Sequence, residues 1–225
     1  MDLRYVDYFF KIVAFLFAIS VHESAHAWMA ARRGDPTAAM LGRVTLNPIK
    51  HIDPIGTLVL PAIGIISGGL VFGWAKPTPV NPRNFKDPVK DDILTSVAGP
   101  VSNMLVVAFA VLTLLVLGKT SAEGQELVRA LSQGQLVDAG VLTPVALMFY
   151  ELMYINVILA IFNLIPVPPL DGSHVLRHFL GDHARMLYDR MGLIGLFILI
   201  LFGGRFLSAL MSPVFGFVMQ VLSRV

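Results

Sequence analysis

Residues 8–31 read YFFKIVAFLFAISVHESAHAWMAA, an apolar run that carries His22-Glu23-Ser24-Ala25-His26 toward its C-terminal end. A helix crosses a bilayer in roughly 20 residues, so the run is long enough to span. Histidine and glutamate are costly at that depth and mark a functional site by default. Two histidines four residues apart share one helical face and can reach one metal ion, while the glutamate between them can take a proton from an attacking water. The pattern is hydrolase chemistry placed where water is scarce. A cleaved leader would also show an apolar run before Ala25-His26-Ala27. Here, however, Met1 to Asp7 hold one arginine and two aspartates in place of a basic head, and the run continues through Trp28 to Ala31. The segment therefore reads as a retained span.

Composition sets the same physical setting. The 225 residues are 56% hydrophobic and 14% charged, with mean hydropathy +0.73, whereas soluble domains carry about 25% charged residues. The chain reads as an integral membrane protein with the bilayer as a partner. A net charge of +2 gives no basis for a nucleic-acid partner. The absence of cysteine excludes disulfides, iron–sulfur clusters and thiolate zinc sites, so a metal must be held by the six histidines and fifteen acids.

Four stretches have the length and apolarity of spans: residues 8–31, 93–117, 141–165 and 191–207. Residues 54–73 are apolar but broken by Pro61, Gly64, Gly68, Gly69 and Gly73. Residues 208–222 could span or lie along the interface. The expectation is one all-α polytopic domain over residues 1–225, a bundle of four to six transmembrane helices. A small membrane-embedded β or re-entrant element is expected after the first span, over about 41–80.

A zinc ion held by two histidines needs a third protein ligand and leaves one position for water. Asp171 stands out because Pro166, Pro168 and Pro169 stop any helix just before it. Unwound backbone at membrane depth is tolerated only where it is buried in protein or lines a cavity. His174 is a weaker candidate on the same turn. Glu151 lies within a span and is expected to pair with Asn156 or Asn103 rather than bind metal.

His22-Glu23-x-x-His26, Ala98-Gly99-Pro100-Val101-Ser102-Asn103 and Asn163 through Asp171-Gly172 occur in this order in three spans. Together they resemble the site-two protease family of intramembrane zinc metalloproteases, over about residues 8–178, in a compact form without a PDZ or CBS module. The resemblance implies one zinc per chain on His22, His26 and Asp171, with Glu23 as general base. It also implies Asn103 and Asn163 as polar groups near the substrate or oxyanion.

His22 and His26 sit near the exit of the first span and Asp171 follows the exit of residues 141–165, so both exits must open on one side. That requires residues 54–73 to enter and leave on the same side. Eleven lysines and arginines, eight from Arg32 to Lys90 with Arg177, Arg185 and Arg190, then share the motif's side, against Arg4, Lys11, Lys119, Arg129 and Arg205 on the other, terminal Arg224 set aside. A full crossing would make the split nine to seven. By the positive-inside rule the site faces the cytoplasm, the N-terminus lies outside, and the setting fits a bacterial plasma membrane.

The run Leu41-Gly42-Arg43-Val44-Thr45-Leu46-Asn47-Pro48 is β-prone and bounded by Gly and Pro. An edge strand there could capture an unwound transmembrane substrate by strand addition, engaging Gly42, Val44, Thr45 and Asn47. His51-Ile52-Asp53-Pro54 reads as turn capping. Two other classes share some of these features: a membrane metal transporter, and a membrane metallopeptidase acting on soluble peptides. The concentration of polar residues at one depth and the lack of a repeat favour the protease.

Overall fold

The computed structural model describes residues 3–60, 63 and 73–225, and among these the ordered elements are helical. Among the described residues, four helices are long and apolar enough to cross a membrane: α1 (Leu3–Arg33), α3 (Pro88–Thr120), α5 (Leu142–Asn163) and α8 (Gly204–Leu222). Shorter helices are α2 (Thr37–Met40), α4 (Ala122–Ser132) and α6 (Asp171–Arg177), and α7 (Asp182–Phe202) precedes the last. The chain divides into two compact units, Ile19–Gly99, and Met1–Ala18 with Pro100–Val225, with the division falling within α1 and α3.

In the larger unit, fully buried Leu114, Leu127, Leu147, Met153 and Leu222 form the centre of a core shared by α3, α4, α5 and α8. Ala14, Ala110 and Ala146 are completely buried. Small residues let helices approach closely where lipid supplies no hydrophobic drive for association. A polar tie runs through the same unit: buried Asn103 donates to Asn156 Oδ1 at 2.6 Å, and Asn156 donates to the Leu152 carbonyl at 2.7 Å. Buried Glu151 lies in the same unit as Asp7, which pairs with Lys11 at 2.6 Å.

In the smaller unit, α1 ends in a Schellman motif. Gly34 adopts φ +114° and donates to Ala31 O, while Asp35 N donates to Ala30 O at 2.9 Å. Arg33 in the last turn of α1 pairs with buried Asp91 in the first turn of α3 at 2.6 Å. Buried Asp35 then clasps the connecting loops, accepting from Thr37 N at 3.2 Å, Asn81 N at 2.7 Å and Asn84 Nδ2 at 2.8 Å.

Two expectations change. The edge strand over Leu41–Pro48 is not formed, and the described residues contain no strand. Gly42 turns the chain at φ +68°, Arg43 turns its side chain inward, and Asn47 caps a 3-10 turn by accepting from Ile49 N at 3.1 Å. The fourth helix long and apolar enough to cross is Gly204–Leu222, which takes in residues 208–222, expected to span or lie along the interface; residues 191–207 instead meet a break in α7 at Gly192, φ 45° and ψ −135°, and its end at Gly203. Asp53 caps a π-type turn over Pro54–Val59, accepting from Ile55 N at 3.0 Å and Gly56 N at 2.7 Å, in agreement with the capping role expected of it. The remainder of the expected re-entrant run, residues 61–62 and 64–72, lies outside the described residues.

Candidate metal centre

Helix α1 is continuous through His22-Glu23-Ser24-Ala25-His26, so the histidines lie one turn apart on one face. Both are buried, and their Nε2 atoms stand 3.1 Å from each other. Two nitrogens bound at about 2.0–2.1 Å to one tetrahedral zinc stand roughly 3.3 Å apart. The pair thus has the spacing that a shared metal requires.

The proton on His26 is set by its other nitrogen. Nδ1 stands 2.7 Å from the main-chain carbonyl of Thr95 in α3. A carbonyl only accepts, so Nδ1 carries the hydrogen and Nε2 presents a lone pair toward His22. Outer-shell bonds of this kind orient metal-binding imidazoles and raise their basicity. The same helix turn supplies the wall against which the rings rest. A Cβ at Gly99 would lie 2.4 Å from His26 Nε2 and 2.6 Å from His22 Cε1, so only glycine fits there. The imidazole pair, its fixed tautomer and the backbone wall fit a zinc held by nitrogen and oxygen donors.

Glu23, half-buried and next to His22, faces a different strip of the helix. Its Oε2 accepts from Thr78 N at 3.0 Å and from the Thr78 hydroxyl at 2.7 Å. Buried Arg43 lies close enough for its charge to act on Glu23 without a direct bond.

Asp171 is the first residue of α6, immediately after the proline break that ends α5. Gly172 explains the close chain path there, since a Cβ would meet the Leu164 carbonyl at 2.2 Å. Asn163 is half-buried at the end of α5 and donates to the Leu159 carbonyl at 3.0 Å. Asn103 is fully buried, and its amide serves the bond to Asn156. Gly42, Val44 and Asn47 are exposed on one loop with half-buried Thr45, whose carbonyl faces His51 Nε2 at 2.8 Å. Thr78 and Arg43 are the contributors that spacing rules overlook, because neither belongs to a metal motif and their partners are distant in sequence.

The sequence model of peptidase family M50 matches residues 10–204. The provisionally named zinc metalloprotease YwhC of Bacillus subtilis is 41% identical over 180 residues, which are 79% of this chain and 73% of YwhC. The provisionally named zinc metalloprotease Rip2 of Mycolicibacterium smegmatis is 30% identical over 188 residues, covering 81% of this chain and 62% of Rip2. Rip2 of Mycobacterium tuberculosis is 28% identical over 202 residues, 89% of this chain and 69% of that protein. No solved structure gives a significant match.

Proposed function

The chain belongs to peptidase family M50, and from that premise we propose that it is an intramembrane zinc metalloprotease hydrolysing peptide bonds within or near transmembrane segments of other membrane proteins. The observation that carries the reading is the buried imidazole pair on an apolar helix, with His26 Nδ1 bound to Thr95 O. His22, His26 and Asp171 would hold one zinc, a donor set of two imidazoles and one carboxylate drawn from a chain without cysteine. Zinc, when bound, polarises the scissile carbonyl and acidifies the attacking water. Glu23 takes the proton of that water and returns it to the departing amine. Asn163 is the better of the two candidate oxyanion donors, because the buried Asn103 amide faces two acceptors, Asn156 Oδ1 and the Ala18 carbonyl, whereas half-buried Asn163 donates to the Leu159 carbonyl alone among the described residues and keeps a second N–H. The exposed loop carrying Gly42, Val44, Thr45 and Asn47 is the surface for an unwound substrate segment. Its main chain offers hydrogen bonds that tolerate varied side chains. In a bacterial plasma membrane, the excess of lysine and arginine would place this site toward the cytoplasm.

Detergent-purified protein and a single-span substrate test the reading. Zinc-dependent, chelator-sensitive cleavage inside the span is expected, and metal flux without cleavage would overturn it. Glu23→Gln should keep zinc and lose about 10²–10⁴-fold in turnover, the range for a general base. His26→Ala should lose both zinc and turnover.

A further inference from the structure

Residues 73–81 form no regular element, but three of their main-chain donors, each two residues from the next, are bonded to other parts of the chain. Trp74 N donates to Gly56 O at 3.2 Å, Lys76 N to His51 O at 2.8 Å, and Thr78 N to Glu23 Oε2 at 3.0 Å. The third donor in this row thus meets a side-chain carboxylate where the first two meet main-chain carbonyls. The Thr78 hydroxyl stands 2.7 Å from the same oxygen and 3.1 Å from the Glu23 carbonyl. A hydroxyl has one proton, and the shorter, charge-assisted contact takes it. Both hydrogen bonds to the carboxylate among the described residues therefore end on Oε2.

The segment carrying Thr78 is tied down on each side. The Thr57 hydroxyl donates to Trp74 O at 2.8 Å, and Gly56 leaves room for the Trp74 indole, which would lie 2.4 Å from a Cβ at that position. Arg43 donates through Nη1 to the Lys50 carbonyl and through Nη2 to the carbonyls of Lys76 and Pro77, the last at 3.0 Å. A buried guanidinium whose acceptors are all main-chain carbonyls acts on the path of the chain. Here it fixes the two residues that lead directly into Thr78.

We propose that Thr78 is a positioning residue for the general base: it holds Glu23 Oε2 and so leaves Oε1 as the oxygen that takes the proton, with Arg43 keeping the Thr78 segment in register. The terminal torsion of a glutamate is broad when unrestrained, and small misplacement of a reacting group can cost on the order of 10²-fold in rate. The proposal rests on the reading of Glu23 as the base.

Thr78→Val removes the hydroxyl while keeping side-chain shape and the main-chain donor, whereas Thr78→Ser keeps the hydroxyl. The purified full-length variants are assayed on the single-span substrate, with zinc content and thermal unfolding measured in parallel. Thr78→Val should lower kcat by about 10–100-fold with KM within about twofold and unchanged zinc and melting, while Thr78→Ser stays within about threefold of the parent kcat. A parent-like kcat in Thr78→Val, equal losses in valine and serine, or a loss carried by KM or zinc would overturn the assignment. If valine is not accommodated, Thr78→Ala removes the same hydroxyl with less bulk and is judged by the same thresholds. Glu23→Gln separates the two readings. Normal turnover in that variant sinks the base itself, whereas an inactive, zinc-loaded Glu23→Gln beside a fully active Thr78→Val sinks only the role of Thr78.

Discussion

At Gly99 a single hydrogen atom stands where any other residue would place a carbon 2.4 Å from His26 Nε2. His26 cannot swing aside without breaking its bond to Thr95 O, so Gly99→Ala should displace an imidazole of the proposed zinc site. Zinc occupancy and cleavage should each fall at least about tenfold, with a lower melting temperature from overpacking of about 1–3 kcal/mol. Thr95 offers the opposite case. Its hydroxyl is buried without a partner, and a hydroxyl of that kind is replaced by a methyl at little or no cost. Thr95→Val should therefore bind zinc normally and melt at or slightly above the parent temperature. The histidines and glutamate are legible in the sequence because their four-residue period lies within one helix. Gly99 is legible as part of the Ala98–Asn103 motif but its closeness to the imidazoles is not, and Thr95 is not legible at all, because its partner His26 lies 69 residues away.

Among the elements, the three motif-bearing spans agree with their apolar runs to within a few residues, and the last does not. Hydropathy averages over a window and is blind to backbone angles, so it cannot register the break at Gly192 or the stop at Gly203. The β-prone run at Leu41–Pro48 fails for a similar reason: its propensity is overridden by the turn at Gly42 and the inward side chain of Arg43. The loops after α1 have their own pH dependence. Burial pushes the Asp35 carboxyl up, but the hydrogen bonds from Thr37, Asn81 and Asn84 outweigh it and hold the group below the usual carboxylate range. His51 is pushed down by burial, and by the Arg43 charge, against the opposing pull of the Thr45 carbonyl and Glu23. Both folded-state values lie below the unfolded ones, so both contributions are present at neutral pH and are lost on acidification. The His51 part should fade as pH falls below about 6.5 and the Asp35 part below about 4. Melting temperature measured from pH 7 to pH 3 should fall in two steps, with the lower step reduced in Asp35→Asn. In the bundle, Asn103→Ala removes the donor to Asn156 and should destabilise by about 0.6–2 kcal/mol in reversible unfolding, the range for interhelical hydrogen bonds in membranes. Asn163→Ala should leave stability unchanged and lower kcat if its amide serves the oxyanion.

For the molecule as a whole, the charge asymmetry predicts that single cysteines introduced at Arg4 and Lys86 react with impermeant reagents from opposite sides of the membrane. Labelling from the same side would sink the re-entrant topology. The chain contains no cysteine, so each introduced thiol reports without background. Membrane residence and the order of the three motifs are legible from composition and spacing alone, because each depends on local runs of residues. How loops brace the glutamate is not, since it depends on long-range chain path. The bond from His26 Nδ1 to Thr95 O carries this to its limit, because its acceptor is present whatever amino acid occupies position 95. In an exhaustive mutational scan, position 95 would look permissive while supplying the atom that selects the imidazole tautomer. The penalty would register at neighbours that steer the helix, such as Gly99 and Pro100. A codon-by-codon map of tolerance would thus omit one of the atoms that prepare the proposed metal site, because that atom is inherited with the backbone itself.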